Sequence, residues 1–425
     1  MKKPIRPRKP IFTGVAGALA VFLLLWSFSP FAKILVLPGK DDGATKGCAT
    51  VNLTHDPADL TFYDDPSLRY SIGDPVNNWD EKRRQWLKHH PSFATGAKER
   101  VFVVTGSQPS PCKDPIGDHL HLRLFKNKVD YCRIHGYDIF YNNAFLHPKL
   151  VGLWAKLPVL RASMIAHPEA EWIFWIDADA VLTDMDFRMP LEKYKDYNLV
   201  VPGYHSMLYK EKSWGGVNTG VFFIRNCQWS IDFLHMWVGL SPLNPNYEKL
   251  AQVVTSTMSD KTHLETDDQS ALVYLLLKEK EMIGNKIHIE SHYNVSGYWA
   301  WIVGSLDTIG ANYARMEKGA TELQRRHAEK VSQHYAMAMG KAFNNKRGTG
   351  GYGQRRPFTT HFTACKQCSS VWGYTKEQCW SGMEKALNFA DNQVLRNYGF
   401  IRLDLRNASS SLYPLPFRTL SSYNG

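Results

Sequence analysis

The chain has 425 residues, of which 44% are apolar and 21% charged, and its formal net charge at pH 7 is +11. This composition is that of a folded globular protein, and it excludes a disordered tail, a collagen-like repeat and a small disulfide-stapled scaffold. The excess charge is local: residues 1–10 and 315–356 carry +5 and +7, so the rest of the chain is almost neutral. A nucleic-acid-binding surface is therefore disfavoured, and no nucleic-acid partner is expected.

The N-terminus predicts a membrane anchor. Residues 1–10 form a basic tail, and residues 11–32 are almost entirely apolar. A run of this length matches the roughly 20 residues that span a bilayer better than the shorter core of a signal peptide. The bases before it are expected to hold the tail in the cytosol, which places the rest of the chain in the secretory lumen. A cleaved signal peptide is the alternative, and it would export the chain as well.

Other features agree with a secretory lumen. Three Asn-X-Ser/Thr triplets make Asn52, Asn294 and Asn407 predicted glycosylation sites. Seven cysteines predict one or two disulfides, and their odd number leaves at least one thiol unpaired within the chain. Cys365 and Cys368 have the spacing of half a zinc site, but no second pair in the sequence completes it.

Residues 33–95 are rich in Asp, Pro, Gly and Asn and predict a lumenal stem with a structured lead-in near Trp79. From residue 96, apolar runs of strand length alternate with segments of helical spacing. This alternation predicts an α/β domain over 96–405 with a mostly parallel sheet, followed by a C-terminal tail over 406–425. The predicted strands are 101–104, 137–141, 171–176, 199–201 and 221–224, and the predicted helices are 119–135, 154–166, 269–278 and 376–395.

Residues 315–356 form a basic insertion that begins with helical spacing and ends in a Gly-rich segment closed by Arg355 and Arg356. One interpretation is a solvated surface insertion. The other is a loop that moves over an anionic ligand, because glycines permit movement and arginines suit phosphate.

The acidic turn Asp177-Ala178-Asp179 directly follows the apolar run 171–176. Ligands of open α/β sheets bind beyond the carboxyl ends of the strands, and two carboxylates there favour a cation such as Mn²⁺ or Mg²⁺. An acidic helix cap or loop is the alternative. The same residues also match the DxDx(T/V) motif of haloacid-dehalogenase-type phosphatases, in which Asp177 would be the nucleophile. However, two strand–helix units precede the turn, and the later pair Asp267-Asp268 precedes a helix, which argues against that enzyme.

Several motifs, in order over about residues 75–400, resemble those of the plant members of glycosyltransferase family 34, a Golgi type II membrane family. The motifs are Asp177–Asp179 with Thr183–Met185, Ser213–Phe222, Arg225–Ser230, Asp267–Leu272, Pro357–Lys366 and Ala386–Gln393. The resemblance implies a GT-A fold, in which a Rossmann-like nucleotide-binding sheet is joined to an acceptor-binding half.

The resemblance also assigns roles. It implies that Asp177 and Asp179 bind the metal, Mn²⁺ or alternatively Mg²⁺, and the diphosphate of a UDP-sugar donor, with His361 completing the metal shell. Lys366 matches a basic residue that faces the leaving diphosphate and is expected to serve both donor binding and catalysis. The metal would help to stabilise the charge on that leaving group.

A second group of residues is implied to lie near the donor sugar. Asp268 and Gln269 match residues close to the reacting centre, and Asp267 and Asn218 match donor-binding positions. A helix N-cap is the alternative for either aspartate, and a turn residue is the alternative for Asn218. Members of the family retain the α configuration of the donor. The favoured mechanism for them is attack by the acceptor on the same face of the sugar from which the leaving group departs.

The lead-in 61–66, the segment 88–93 and the long basic insertion resemble the mannan-modifying branch of the family. The implied reaction transfers α-galactose from UDP-galactose to O6 of mannosyl units in a β-1,4-mannan or glucomannan. Trp299 and Trp301, taken as exposed, are predicted to stack on the acceptor, with core packing as the alternative.

Two other functions stay open. One is a xyloglucan 6-xylosyltransferase that uses UDP-xylose. The other is a non-catalytic glycan-binding partner in a Golgi synthase complex, suggested by Ala178, where relatives usually have Ser, and by Gly215 and Gly216 after Trp214. The expected location is the Golgi membrane, single-pass type II with a lumenal catalytic domain. Homo- or hetero-oligomerisation with other glycan synthases is left open.

Overall fold

The computed structural model describes residues 62–94, 96, 100–319, 329, 355–365, 368, 373–406 and 411–415. These residues belong to one compact unit, Asp59–Gly425. No helix in the ranges just given is long and apolar enough to cross a bilayer. The predicted tail 1–10 and anchor 11–32 lie outside the described residues.

The strands begin and end close to where the sequence predicts them. All five predicted strands are confirmed within one or two residues, and six further strands are found. The strands are β1 (Val101–Gly106), β2 (Asp138–Asn142), β3 (Trp172–Ile176), β4 (Ala180–Leu182), β5 (Leu199–Pro202), β6 (Val221–Arg225), β7 (Ile287–Glu290), β8 (Gly297–Tyr298), β9 (Thr359–His361), β10 (Phe400–Arg402) and β11 (Leu412–Pro414).

The helices of ten residues or more include the four predicted ones. The first predicted helix starts four residues earlier than expected, because Asp114 caps it by accepting from the N–H of Ile116 and Pro115 fits its first turn. The helices are α1 (Trp79–His89), α2 (Pro115–His135), α3 (Lys156–Ala166), α4 (Gln228–Val238), α5 (Tyr247–Ser256), α6 (Asp268–Lys278), α7 (Leu306–Gly319) and α8 (Lys376–Leu395).

Six strands form the central sheet, in the order β2-β1-β3-β6-β5-β7. The pairs β1–β2, β1–β3 and β5–β7 are parallel, whereas β6 runs antiparallel to both β3 and β5. The mostly parallel α/β sheet is therefore confirmed. The reversal of β6 places its amino end, at Val221, beside Ile176 at the carboxyl end of β3.

Helices cover both faces of the sheet. Side chains of β3 alternate between two cores: Ile173 and Trp175 pack with α3, α4 and α6, and Trp172, Phe174 and Ile176 pack with α2, α7 and α8. A sheet buried on both faces needs apolar residues on both, which is why β3 is a continuous apolar run instead of an alternating one.

The lead-in to the domain is packed against the sheet layers. Trp79 of α1 is fully buried, and its indole N–H donates to Oδ1 of Asn226 at 2.7 Å. Arg83, one turn later, donates to the carbonyl oxygens of Pro168 at 2.9 Å and Ala170 at 2.8 Å. Residues that the sequence groups with a stem thus contribute to the folded core.

The end of the basic insertion has a structural role. Arg356 is 5% exposed, its guanidinium lies 2.9 Å from Oδ2 of Asp186, and it stacks on Tyr313 at 3.9 Å. Arg355 stacks on Phe187 at 4.8 Å. Arg356 is therefore used by the fold itself, and the two interpretations of the insertion as a whole stay predictions. Most of residues 320–354 lie outside the described residues.

Among the described cysteines, four form two disulfides, Cys112–Cys368 and Cys365–Cys379, and Cys48 lies outside the described residues. Each cysteine of the Cys365/Cys368 pair belongs to a different disulfide, so this pair does not form half of a zinc site. Cys132 and Cys227 are free thiols.

Candidate active site

The acidic turn leaves the sheet at the carboxyl end of β3. The N–H of Asp177 donates to the carbonyl of Gly220 at 2.7 Å, which extends the β3–β6 pairing by one residue. On the other side, Lys128 of α2 is buried and donates to the carbonyl of Ala180 at 2.8 Å. Burial lowers the pKa of Lys128 to about 8. The backbone of the turn is held from both sides, while the carboxylates of Asp177 and Asp179 stay about one-fifth exposed.

His361 reaches this turn through a small sheet of order β4-β9-β8. β4 follows the acidic turn directly, and Ala180 in β4 is the register partner of His361 in β9. Nε2 of His361 lies 3.1 Å from Oδ1 of Asp179 and 3.9 Å from Oδ2 of Asp177. One strand pairing therefore brings together residues that are far apart in the sequence.

The three side chains have the chemistry of a divalent-cation site. Their ligand atoms lie within 4.8 Å of one another. Two carboxylates and an imidazole nitrogen that face each other repel unless a cation joins them, either a proton or a metal ion. Burial is the largest influence and disfavours the imidazolium, but the charge and hydrogen bond of Asp179 and the charge of Asp177 together outweigh it and raise the pKa of His361. The oxygen-rich donor set fits Mn²⁺ or Mg²⁺.

A buried lysine lies behind the carboxylates. Nζ of Lys156, the first residue of α3, lies 2.8 Å from Oδ2 of Asp268 and 3.2 Å from Oδ1 of Asp177, and it donates to the carbonyl of Thr219 at 2.9 Å. Lys156 is 4% exposed and Asp268 is 1% exposed. Burial raises the pKa of Asp268 to about 6, although Lys156 acts in the opposite direction. Burial opposes the charge of Lys156, and the neighbouring carboxylates raise its pKa.

The predicted sugar-side residues Asn218 and Gln269 are in contact. Nδ2 of Asn218 donates to Oε1 of Gln269 at 3.2 Å, and Nε2 of Gln269 donates to the carbonyl of Trp214 at 3.0 Å. The amide of Gln269 is thus held at both of its polar atoms by the segment that contains Trp214 and Asn218.

Asp267 is the N-cap of α6. Its Oδ1 accepts from the N–H of Ser270 at 2.6 Å within a capping box, and its Oδ2 lies 3.0 Å from Nζ of Lys261. The structure therefore shows the capping role that the sequence left as an alternative. Its predicted donor-binding role stays a prediction.

The two tryptophans predicted to bind the acceptor differ. Trp301 is 72% exposed, whereas Trp299 is 6% exposed. The ring of Trp299 stacks on Phe362 at 5.4 Å, and its indole N–H donates to the carbonyl of Thr363 at 3.2 Å. The expectation that Trp299 is exposed is wrong, because it packs in the core beside β9.

The structure does not place the remaining predicted residues in the candidate site. Lys366, Asn52 and Asn407 lie outside the described residues. Asn294 is partly buried and has a left-handed backbone with φ of 49°. Its glycosylation stays a prediction.

Three site residues were missed by sequence reasoning: Lys156, Lys128 and Ser296. For Lys156 a signal was present, since α3 is apolar around most of its surface and a lysine inside such a helix must be paired. Lys128 gives no comparable signal among the charged residues of α2. Ser296 was read only as part of a glycosylation triplet.

Gly220→Ala is expected to disrupt the cluster of Asp177, Asp179 and His361. A Cβ at residue 220 would lie 2.1 Å from Cε1 of His361, so the imidazole would have to move. A displaced ligand is expected to weaken Mn²⁺ binding by at least the ~10–100-fold that the loss of a ligand's supporting partner causes. Isothermal titration calorimetry with Mn²⁺ measures this directly.

The matched control is Gly304→Ala, where an added Cβ has no atom within 4 Å. It is expected to bind Mn²⁺ as the wild type does. Wild-type affinity in Gly220→Ala would contradict the proposed position of His361 in the metal site.

Fold and site together define an α/β protein with a candidate metal centre at the carboxyl end of β3. A model of the galactosyl transferase GMA12/MNN10 family matches residues 97–372, well over half of the chain. The chain therefore belongs to this family, and the resemblance inferred from its motifs is confirmed.

Several named proteins are similar to this chain. Putative glycosyltransferase 7 of Arabidopsis thaliana is 51% identical over 95% of this chain and 90% of its own length. Galactomannan galactosyltransferase 1 of Cyamopsis tetragonoloba is 48% identical over 94% of each chain. Among solved structures, a glycosyltransferase involved in glycosylation of the major capsid of PBCV-1 is 14% identical with a TM-score of 0.32, covering 46% of this chain and 83% of that one. The galactosyltransferase LgtC is 12% identical with a TM-score of 0.29, covering 68% and 95%.

Proposed function

We propose that this chain is a retaining, metal-dependent galactosyltransferase of the GT-A type. It transfers α-galactose from UDP-galactose to O6 of mannosyl units in a β-1,4-mannan or glucomannan. The observation that carries the proposal is the convergence of Asp177, Asp179 and His361 within 4.8 Å, in a family whose similar member is named a galactomannan galactosyltransferase.

Asp177, Asp179 and His361 would hold the divalent ion, which we take to be Mn²⁺ with Mg²⁺ as the alternative. When bound, the ion supplies positive charge that favours departure of a nucleoside diphosphate. Lys156 balances the negative charge of Asp177 and Asp268 from behind and keeps Asp177 in place. Lys366, five residues after the end of β9 and between the disulfide cysteines Cys365 and Cys368, is proposed to add a second cation for the diphosphate.

The donor sugar is proposed to lie beside Gln269, with Asn218 fixing the amide of Gln269 and Asp268 lying beneath it. The amide can bond to sugar hydroxyls but is a poor covalent nucleophile, and Asp268 is almost inaccessible at 1% exposure. These features support attack and departure on the same face of the sugar over a double displacement.

The acceptor is proposed to lie across Trp301. This side chain follows β8, and Tyr298 of β8 is both the register partner of His361 and in edge contact with Trp301 at 5.2 Å. An exposed indole in contact with the strand that pairs with His361 offers an apolar face for the pyranose rings of an uncharged polysaccharide.

The proposed location is the Golgi membrane, with residues 11–32 as a single-pass type II anchor and the enzyme in the lumen. The disulfides Cys112–Cys368 and Cys365–Cys379 support an oxidising compartment. Oligomerisation there, either of this chain with itself or with other glycan synthases, is part of the same proposal.

The test is transfer by the purified full-length chain with Mn²⁺. UDP-galactose and UDP-xylose are each paired with manno-oligosaccharides and with cello-oligosaccharides. We expect product only from UDP-galactose with manno-oligosaccharides, and NMR of that product should show an α-linkage to O6.

The other outcomes discriminate between the alternatives. Product only from UDP-xylose with cello-oligosaccharides would replace the proposal by a xyloglucan xylosyltransferase. A β-linked product would overturn retention. No product from any pair, with chain that unfolds cooperatively on heating, would favour a non-catalytic glycan-binding partner.

A further inference from the structure

A chain of hydrogen bonds joins the candidate metal ligand His361 to the sugar-side residue Gln269. Nδ1 of His361 lies 2.9 Å from Oγ of Ser296, and Oγ of Ser296 lies 2.8 Å from Oδ1 of Asn218. Nδ2 of Asn218 lies 3.2 Å from Oε1 of Gln269. Ser296 is the one member of this hydrogen-bond chain that has no role in the proposed function.

Two backbone N–H groups fix the direction of every bond in this chain. The N–H of Gly220 points at Oδ1 of Asn218 at 2.9 Å, so that atom must be the amide oxygen. The N–H of Thr219 points at Oε1 of Gln269 at 3.4 Å, which fixes that amide in the same way. Neither amide can be flipped without setting a donor against a donor.

The protonation of His361 follows from these directions. Because Oδ1 of Asn218 can only accept, the single hydroxyl proton of Ser296 is used in donating to it. Oγ of Ser296 must then accept from His361, so Nδ1 of the imidazole carries a proton. Nε2 lies 3.1 Å from Oδ1 of Asp179, a carboxylate oxygen that can only accept, so a proton on Nε2 joins the two groups. A divalent ion would take the place of that proton on Nε2, while Nδ1 keeps its own proton through Ser296.

We infer that Ser296 is a positioning residue that holds His361 in the Nδ1-protonated form and orients its Nε2 for the divalent ion. Through Asn218, the same hydroxyl couples the metal ligand to the amide of Gln269. The inference rests on the proposed metal-dependent function, which it deepens.

The contacts of Ser296 explain the serine of the Asn294-Val295-Ser296 triplet without glycosylation. Val295 is 2% exposed, and Ser296 is engaged in the site. Its serine is therefore required by the candidate active site, whether or not Asn294 carries a glycan.

Three variants of the full-length chain test the inference. Ser296→Ala removes the hydroxyl and the triplet, Ser296→Thr keeps both, and Asn294→Gly removes only the triplet. Glycine suits residue 294 because its φ is 49°. Mn²⁺ affinity is measured by isothermal titration calorimetry without donor or acceptor, and thermal unfolding in the absence of metal reports on the fold.

Ser296→Ala is expected to bind Mn²⁺ about 10–100-fold more weakly, as is typical for loss of a ligand's hydrogen-bond partner. Its unfolding temperature without metal should stay close to that of the wild type. Ser296→Thr and Asn294→Gly are expected to bind Mn²⁺ as the wild type does.

Wild-type Mn²⁺ affinity in Ser296→Ala would overturn the inference, and so would an equal loss in Asn294→Gly. Failure of the proposed function is distinct: a wild-type chain that transfers no galactose can still show weaker Mn²⁺ binding in Ser296→Ala. In that case the positioning role of Ser296 is supported and the proposed galactosyl transfer is rejected.

Discussion

Asp179→Asn is expected to abolish Mn²⁺-dependent sugar transfer while the fold persists. Asp179 supplies the carboxylate oxygen closest to Nε2 of His361, at 3.1 Å, and the neutral amide removes one of the two negative charges of the cluster. The loss should exceed the ~100-fold that follows removal of a ligand's partner, because here a ligand itself is changed. The side chain is one-fifth exposed at the end of a strand, so its replacement leaves the core intact.

Two measurements separate binding from folding. Calorimetry should show no Mn²⁺ binding at concentrations that saturate the wild type, and a chelator should abolish transfer by the wild type. Thermal unfolding should show a Mn²⁺-induced rise for the wild type, since a ligand that binds the native state at 100 times its Kd stabilises it by about 2.7 kcal/mol. Asp179→Asn should show no such rise.

Asp196→Asn is the control, because Asp196 is an exposed aspartate away from the acidic turn. It should bind Mn²⁺ and transfer sugar as the wild type does. Full Mn²⁺ binding by Asp179→Asn would refute the assignment of the metal ligands.

The sheet could be predicted because its strands carry a local signal. β3 is apolar at every position, and a turn of two carboxylates ends it, so both its burial and its end are visible in the sequence. The antiparallel direction of β6 is not visible, since its apolar run is the same in either direction. That direction decides which end of β6 meets Asp177, and therefore where Gly220 lies.

The candidate site was only partly predictable. Asp177 and Asp179 are only two positions apart in the sequence, so their pattern is visible, whereas His361 depends on a strand of three residues that pairs with β4. A strand this short has no periodicity to detect, and the resemblance to a family pointed to His361 instead. Ser296 lies just before β8, a strand of two residues, and its role follows only from the hydrogen bonds that it makes.

The buried charges were the least predictable part. Lys156 and Asp268 lie on different helices, and their pairing depends on the way α3 and α6 pack on one face of the sheet. The sequence shows a lysine in an apolar helix and an aspartate at a helix start, but not that each neutralises the other.

Lys156→Met is expected to destabilise the chain by about 3–5 kcal/mol, because it breaks a buried ion pair and leaves a charge without a partner. Asp268 is 1% exposed, and its Oδ2 lies 2.8 Å from Nζ of Lys156, the cation that pairs with it. Denaturant unfolding of the wild-type and variant full-length chains measures the difference in free energy. Methionine fills a similar volume, so little of the loss should come from packing.

The loss should depend on pH. The pKa of Asp268 is already raised to about 6 by burial, and removing Lys156 should raise it further. A folded-state pKa above the unfolded value, about 3.9, means that the native state is favoured when the carboxyl is protonated. At pH 5 Asp268 should be mostly protonated in both proteins, so the stability difference should be smallest there and grow as the pH rises through 7 and 8.

The double variant Lys156→Met/Asp268→Asn identifies the cause. If the cost is an unpaired buried carboxylate, a neutral amide at residue 268 should restore most of the stability and remove its pH dependence, since replacing both partners of a buried pair is often close to neutral. An equal loss in the single and double variants, constant between pH 5 and 8, would assign the effect to packing. Transfer activity should not return with stability in the double variant, because Asp177 then still lacks the ammonium group that lies 3.2 Å from its Oδ1. Lys156 would then have two roles: its ion pair with Asp268 stabilises the fold beneath the acidic turn, and its contact with Asp177 positions one proposed metal ligand.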